Sequence, residues 1–478
     1  MRGRSHKTMA VFHVENFGCR AARADGEAVA AHLRASGHRL TPPEAAEVVV
    51  VNTCSVTAEA DRAARAFIRR THRRNPQARI VVTGCYAQRA PAELAALPGV
   101  AAVVGNSHKA LAPELISNLL DPAQPLHTPE LIQIVSASTT LHQNSAPPQV
   151  LQVPLVPLVI DERFAHSFLE EEQVTPGAQT RPNLKIQEGC SNRCTFCVIP
   201  FTRGPSRSLP QAAVLKQVRG FVAAGGNELV LSGINLGRWG RDLSASSTLA
   251  ALVRRIFAET ALPRLRLSSI EPMDWDAELI ALLAEFGSTR LARHAHLPLQ
   301  SGSDAVLRRM HRRYRPWHYA EKVHALLAAT GPALTLGADV MAGFPGETGD
   351  EFEETLAFLR SLPFGYLHLF PFSPRPGTPG EALHAASPVP AQVVEERMTR
   401  LRSLAHELSL AHRRQFPGQA LPAITLHTPA DLAACNRSSA LSDNFLPIEL
   451  AGSHAANTLL SVRITGISPE GILLADLR

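Results

Sequence analysis

The sequence predicts an α/β protein in three parts: a small parallel α/β domain, a larger partial β/α barrel and a small all-β module. Three observations carry this. The first 110 residues alternate short apolar runs with amphipathic helical stretches. From Leu184 onward six strand-like runs recur, each followed by a helical stretch. After residue 414 strand patterns follow one another directly.

In the first part the expected strands are Met9 to Val14, Val48 to Val51, Ile80 to Val82 and Val100 to Val104. Helices are expected over Gly26 to Ser36 and Ala58 to Arg74, with Asp25 and Thr57 as N-caps, because a short polar side chain can accept from the first free backbone N–H groups. Residues 121–182 are rich in Pro, Ser, Thr and Gln and read as a linker or insertion. The barrel strands are LKIQ, ELVLSG, RLRLSS, HLPLQ, LTLGADV and YLHLFPF, and a helix from Val393 to Arg414 closes that part. ITLHTP, FLPIEL, LLSVRITGI and GILLADL make the last module. The predicted boundaries are therefore 1–120, 121–182, 183–414 and 415–478.

With 478 residues, 45% of them hydrophobic, the chain can bury several cores. No apolar run reaches the roughly 18–20 residues that span a bilayer. The start lacks an apolar signal core with a cleavage site, so a cytoplasmic protein with no membrane partner is expected. Seven cysteines in such a chain point to metal or catalytic use rather than a disulfide framework. The net charge of +6 is compatible with a polyanionic partner. The basic runs Arg69 to Arg74 and Arg308 to Arg315 read first as solvated helix faces, and Tyr314 and Trp317 add stacking surfaces suited to bases.

Cys190, Cys194 and Cys197, in GCSNRCTFC, follow the first barrel strand. Three thiolates around one cluster leave one iron open to a chelating ligand, so this spacing points to chemistry on a bound molecule. A zinc site or three unrelated thiols are the alternatives. Cys19, Cys54 and Cys85 each lie just past a strand of the first part, 35 and 31 residues apart. Strand C-termini of a parallel sheet share one edge, so these three could hold a second cluster; separate buried thiols are the plainer reading. Cys435 reads as a free buried thiol. Phe196 could pack on an adenine or simply fill the core. Ser232 and Gly233 lie in a glycine-rich stretch after a strand, and Glu228, Ser269, Glu271 and Gln300 lie at or near strand ends. All are candidates for cofactor contact, with turns, caps and solvent exposure as the alternatives.

The run KIQEGC–SNRCTFC–VIPFTRG resembles the radical S-adenosylmethionine (SAM) enzymes, and within them the methylthiotransferases. NTCSVT, VVTGCYAQ, ELVLSGINLG, LRLSSIEP, HLPLQSGSDAVLRRM, DVMAGFPGET and FPFSPRPGT extend the resemblance from the first strand to the end of the barrel. SDNFLPIEL makes the last module similar to the RNA-binding TRAM domain. The resemblance implies a radical SAM barrel and two four-iron four-sulfur clusters, one on Cys190, Cys194 and Cys197, the other on Cys19, Cys54 and Cys85. It implies SAM as both methyl donor and radical source, with Phe196, Glu228, Ser232, Gly233, Ser269, Glu271 and Gln300 as candidate contacts. FGCRAARADGEA, KIQEGC and CSNRCTFCVIP look most like the branch that methylthiolates N6-threonylcarbamoyladenosine beside the anticodon of tRNA. Branches acting on isopentenyladenosine or on an aspartate of a small-subunit ribosomal protein are the alternatives. A noncatalytic iron–sulfur or zinc RNA-binding protein is the rival of another class. An electron donor such as flavodoxin or ferredoxin and a monomeric state complete the expectation.

Overall fold

The computed structural model describes residues 9–120, 158–162, 164, 180–245, 247–287 and 289–478. They form two compact units: the described residues up to 164 with 189–191 and 198–205, and residues 180–188 with 192–197 and the described residues from 206 on.

The first unit is built on a parallel sheet of β1 (Val11–Asn16), β2 (Arg39–Leu40), β3 (Val48–Thr53), β4 (Arg79–Gly84), β5 (Val100–Gly105) and β6 (Leu158–Val159), in the order β2-β1-β3-β4-β5-β6. β3 reads VVVVNT because it is covered on both faces. Val48 and Val50 face the cluster of Phe12, Leu33 and Ile116, while Val49 and Val51 face Phe67, Ile68 and Leu94. The helix Ala58–Arg74 has the expected bounds, and Thr57 caps it by accepting from the Ala60 N–H. The other helix departs from expectation, running Arg20–Ala35 with Cys19 before it. Asp25 does not cap it; its carboxylate lies inside the unit against Lys109 and Arg203. Gly26 is tolerated within the helix because any side chain there would overlap that of Asn16. β6 falls in the stretch expected to be a linker and pairs parallel with β5, so part of that stretch extends the sheet; residues 121–157 and most of 163–179 lie outside the described residues.

The second unit carries the six expected barrel strands: β7 (Asn183–Glu188), β9 (Glu228–Gly233), β10 (Arg264–Leu267), β11 (His294–His296), β12 (Thr335–Ala342) and β13 (Phe364–Pro371). A two-residue β8 (Arg207–Ser208) adds antiparallel to β7. Strand order is β8-β7-β9-β10 in one sheet and β11-β12-β13 in the other, and the parallel bridge Leu265–Leu291 links the β10 and β11 segments. HLPLQ is not itself the fourth strand. The strand ends at His296, because Pro298 has no N–H to give and Gln300 sits at φ 69°.

The C-terminal strands β14 (Ala420–Thr425), β15 (Arg437–Ser442), β16 (Pro447–Ala451), β17 (Leu459–Ile467) and β18 (Leu473–Leu477) close into a barrel, which leaves no open edge. β15 went unread because RSSALS is mostly polar, yet Ser438, Ala440 and Ser442 alternate inward. The turn after β15 lies against the N-terminal ends of the larger barrel's strands. Arg293 clasps Asp443 through two bonds of 2.6 and 3.0 Å, Asn444 donates to the Ala333 carbonyl, and Arg266 donates to the Ser442 carbonyl. The helix Ala391–Arg413 packs on β13, close to its expected bounds. Within the described residues no helix is long and apolar enough to cross a membrane.

Glu228 anchors this lower rim. It is fully buried and meets Arg266 at 2.8 Å, Arg264 at 3.4 Å and Arg181 at 3.5 Å. Glu228→Leu strips two buried guanidiniums of their carboxylate and is expected to cost about 3–5 kcal/mol of stability, read as a lower midpoint in urea denaturation. Removing the exposed Arg313 is expected to change stability by no more than about 0.5 kcal/mol.

Candidate active site

β1, β3 and β4 are neighbours in one parallel sheet, so the loops that leave their C-terminal ends emerge side by side, about 4.8 Å apart from strand to strand. Cys19 lies at the start of the helix after β1, Cys54 follows β3, and Cys85 opens the short helix Cys85–Arg89 after β4. The three expected thiols are brought together. The Cys54 thiol donates to the Cys19 sulfur; this bond, with the charge of Arg203, holds Cys19 well below the usual thiol range. The same bond, with burial, pushes Cys54 up. Gly18 is at φ 99°, and a methyl group there would overlap the Cys54 side chain, so only glycine lets the chain pass.

Cys85 has two donors that the sequence did not single out: Asn106 Nδ2 at 3.3 Å and Arg203 Nε at 3.2 Å. Arg203 is fully buried and is held by Asp25, which also receives Lys109. Asn106 follows β5 and so shares the edge of the cysteines; its Nδ2 also reaches the Thr202 carbonyl. The segment VIPFTRG thus belongs to the first unit. A set of three converging sulfurs, one already disposed to ionise and one held by a guanidinium, fits the demands of a cluster, whose ligands are thiolates.

Of the triplet after β7, Cys190 belongs to the first unit, where its N–H donates to the Gly204 carbonyl. Cys194 and Cys197 belong to the second, with the Cys197 N–H on the Cys194 carbonyl. Arg312 Nη1 donates to Cys194 Sγ at 3.3 Å, while Nη2 meets Glu271 Oε2 at 2.5 Å and Nε meets the Tyr314 hydroxyl at 3.1 Å. Two expectations for this basic run change. Tyr314 is buried, its hydroxyl donating to the Pro298 and Leu299 carbonyls, so it offers no face to a base; Trp317 remains exposed. Arg308 and Arg315 pair with Asp304, and Arg309 with Glu351.

The candidate cofactor contacts divide. Ser232 and Gly233 end β9; Ser232 is buried, and a side chain at Gly233 would press on Gln187. Ser269 Oγ bonds His296 Nδ1 at 2.9 Å, Glu271 holds Arg312, and Gln300 bridges to Val340 with its Oε1 buried and without a hydrogen bond. Phe196 is half-buried, its backbone close to Gly380, whose N–H donates to the Thr195 carbonyl. These side chains come from the C-terminal ends of strands and the loops after them. Glu228 does not join them: it begins β9 at the other rim, where it serves the arginine cluster. Cys435 is free but exposed rather than buried, because it ends a short surface helix, Ala430–Ala434.

Residues 11–105 match the family described as Uncharacterized protein family UPF0004, and residues 184–359 match the Radical SAM superfamily. The chain is 34% identical to the threonylcarbamoyladenosine tRNA methylthiotransferase MtaB of Bacillus subtilis (strain 168), over 93% of this chain and 91% of that protein. Identity to the protein of the same name from Aquifex aeolicus (strain VF5) is 32%, over 94% and 99%. Identity to the ribosomal protein uS12 methylthiotransferase RimO of Desulforudis audaxviator (strain MP104C) is 31%, over 95% and 94%. Among solved structures, the radical SAM methyltransferase TsrM from Kitasatospora setae superposes with a TM-score of 0.51 at 16% identity, covering 76% of this chain and 72% of that one, a likeness of fold. A barrel with a cysteine triplet past its first strand is the mark of a radical SAM enzyme. The chain belongs to the methylthiotransferases of that superfamily, and among them to the MtaB type. The cofactors of this family are two four-iron four-sulfur clusters and SAM.

Gly18→Ala, which would press on Cys54, is expected to lose about half of the chain's iron, measured as iron and labile sulfide per chain. Arg312→Met removes a fixed donor from Cys194, and SAM cleavage is expected to slow about 10- to 100-fold. The reduction potential of that centre, followed by EPR, is expected to become more negative.

Proposed function

We propose that this enzyme adds a methylthio group to carbon 2 of N6-threonylcarbamoyladenosine in tRNA. The observation that carries the reading is the identity of about a third to curated enzymes of that name, sustained over nine-tenths of both chains. Residues 1–120 form the part that bears Cys19, Cys54 and Cys85. Residues 183–414 form the radical SAM barrel and residues 415–478 the TRAM-like module, while β6 joins the sheet of the first part.

Cys19, Cys54 and Cys85 would hold one cluster, and Cys190, Cys194 and Cys197 the other. When bound, these centres and SAM supply the sulfur, the methyl group and the one-electron cleavage that the reaction needs. The protein's own groups set the conditions. Arg203 and Arg312 each fix a guanidinium N–H against a sulfur that would ligate a cluster. Glu271 and Tyr314 lock Arg312 in one orientation, so its donor points at Cys194 in every turnover. Ser232, Gly233, Ser269, Glu271 and Gln300 would line the place of SAM, with the Phe196 ring against its adenine. Glu228 has no part in this.

A reduced flavodoxin or ferredoxin would supply electrons, and the enzyme would work as a cytoplasmic monomer. Mass spectrometry of tRNA nucleosides tests the assignment. A deletion strain should lack 2-methylthio-N6-threonylcarbamoyladenosine and accumulate the unmethylthiolated nucleoside, and the wild-type gene, but not Cys54→Ala or Cys194→Ala, should restore it. Persistence of that nucleoside, with loss of the isopentenyladenosine product or of the modified ribosomal aspartate instead, would move the enzyme to another branch.

A further inference from the structure

One group of chemically capable side chains in the second unit has no part in holding either cluster. His296 ends β11, Asp339 lies in β12 and His368 in β13. The registers bring them together. His296 stands opposite Gly337, two residues before Asp339 on the same face, and Asp339 stands directly opposite His368. We propose that His296, Asp339 and His368 form a binding site for one divalent first-row transition-metal ion, apart from the two iron–sulfur sites.

His368 Nδ1 hydrogen-bonds Asp339 Oδ1, and the spacing of the three groups also suits ligands of one ion. His296 Nε2 lies 3.4 Å and His368 Nδ1 3.2 Å from the same oxygen of Asp339, and the ligand atoms all lie within 4.8 Å of one another. Charge-assisted N–H···O bonds are shorter, about 2.7–2.9 Å. Two atoms each bonded to one metal at about 2.1 Å are separated by about 3.0 Å in octahedral and about 3.4 Å in tetrahedral geometry. Both observed separations fall in that range.

The surroundings are those of a built site. His296 is only 8% exposed, and its Nε2 makes no hydrogen bond among the described residues although it faces Asp339. Its other nitrogen is fixed by Ser269 Oγ at 2.9 Å, the outer contact that sets the tautomer and direction of a ligating imidazole. Tyr366 stacks on His296 with ring centres 5.9 Å apart and also touches His368. Room for the tyrosine comes from Gly337, where any side chain would overlap its ring. Among the described residues, the ion-pair partners of Asp339 are the two imidazoles, with no lysine or arginine. A largely buried carboxylate with no lysine or arginine beside it is a natural seat for a cation. His368 is 56% exposed and gives an ion a way in from solvent.

Ligand type narrows the ion. Calcium and magnesium take oxygen ligands, whereas two imidazoles and one carboxylate suit zinc, manganese, iron or cobalt. Three protein ligands leave at least one position for water or another oxygen donor.

The test uses full-length protein carrying both clusters, so that the six cysteines are occupied, titrated anaerobically with Mn²⁺. Free Mn²⁺ is followed by its EPR signal, and Zn²⁺ is added as a competitor. The wild type should take up one Mn²⁺ per chain saturably and release it to Zn²⁺. Asp339→Asn should weaken that uptake at least tenfold with iron and labile sulfide unchanged. His368→Ala, at an exposed position where folding is not at stake, should do the same. Absence of saturable uptake by the wild type would overturn the proposal, as would uptake that neither substitution alters. Neither tRNA nor SAM enters the titration, so its outcome is independent of the substrate assignment.

Discussion

In each unit a buried arginine is fixed with one nitrogen against a cysteine sulfur. Arg203 reaches Cys85 through Nε with Nη1 on Asp25, and Arg312 reaches Cys194 through Nη1 with Nη2 on Glu271 and Nε on the Tyr314 hydroxyl. A guanidinium stays charged at any working pH and its fork is rigid, so it can hold a sulfur and a carboxylate at once; a lysine ammonium would do so with less geometric control. The partners Asp25 and Glu271 therefore matter less as acids than as supports that aim a donor.

Parallel strands explain why distant cysteines can serve one site. Each βα unit returns the chain to the same sheet edge, so Cys19, Cys54 and Cys85 meet although one unit separates each from the next. The larger barrel divides its labour between two rims. Its N-terminal rim is taken up by ion pairs, Glu228 with its arginines and Arg293 with Asp443 of the terminal barrel. The C-terminal rim is left to Ser232, Ser269, Glu271 and Gln300, as barrel enzymes generally arrange it.

Much of this was legible in the chain. Apolar runs gave the strands of both sheets because period and composition agree with two-sided burial, as in VVVVNT. Cysteine placement gave the shared sheet edge of Cys19, Cys54 and Cys85. What escaped reading depended on contacts made across the fold. Asp25 looked like a cap because nothing local reveals Lys109 and Arg203. Tyr314 looked like a stacking surface because its neighbours are basic, whereas its burial follows from carbonyls fifteen and sixteen residues earlier. Glu228 lay near a strand end, but composition does not say which rim that end joins. β15 was missed because serines at alternate inward positions carry no apolar signal. The His296–Asp339–His368 group gave none either, since its members sit in three strands with no shared spacing.

Iron and acid-labile sulfide, counted on protein rebuilt without oxygen and checked by Mössbauer spectroscopy, test the two-triad account most directly. The intact chain should hold about eight irons, and alanine at Cys19, Cys54 and Cys85 together, or at Cys190, Cys194 and Cys197 together, should each leave about four. A folded wild-type chain that holds only about four, unchanged when the first three cysteines are replaced, would contradict it.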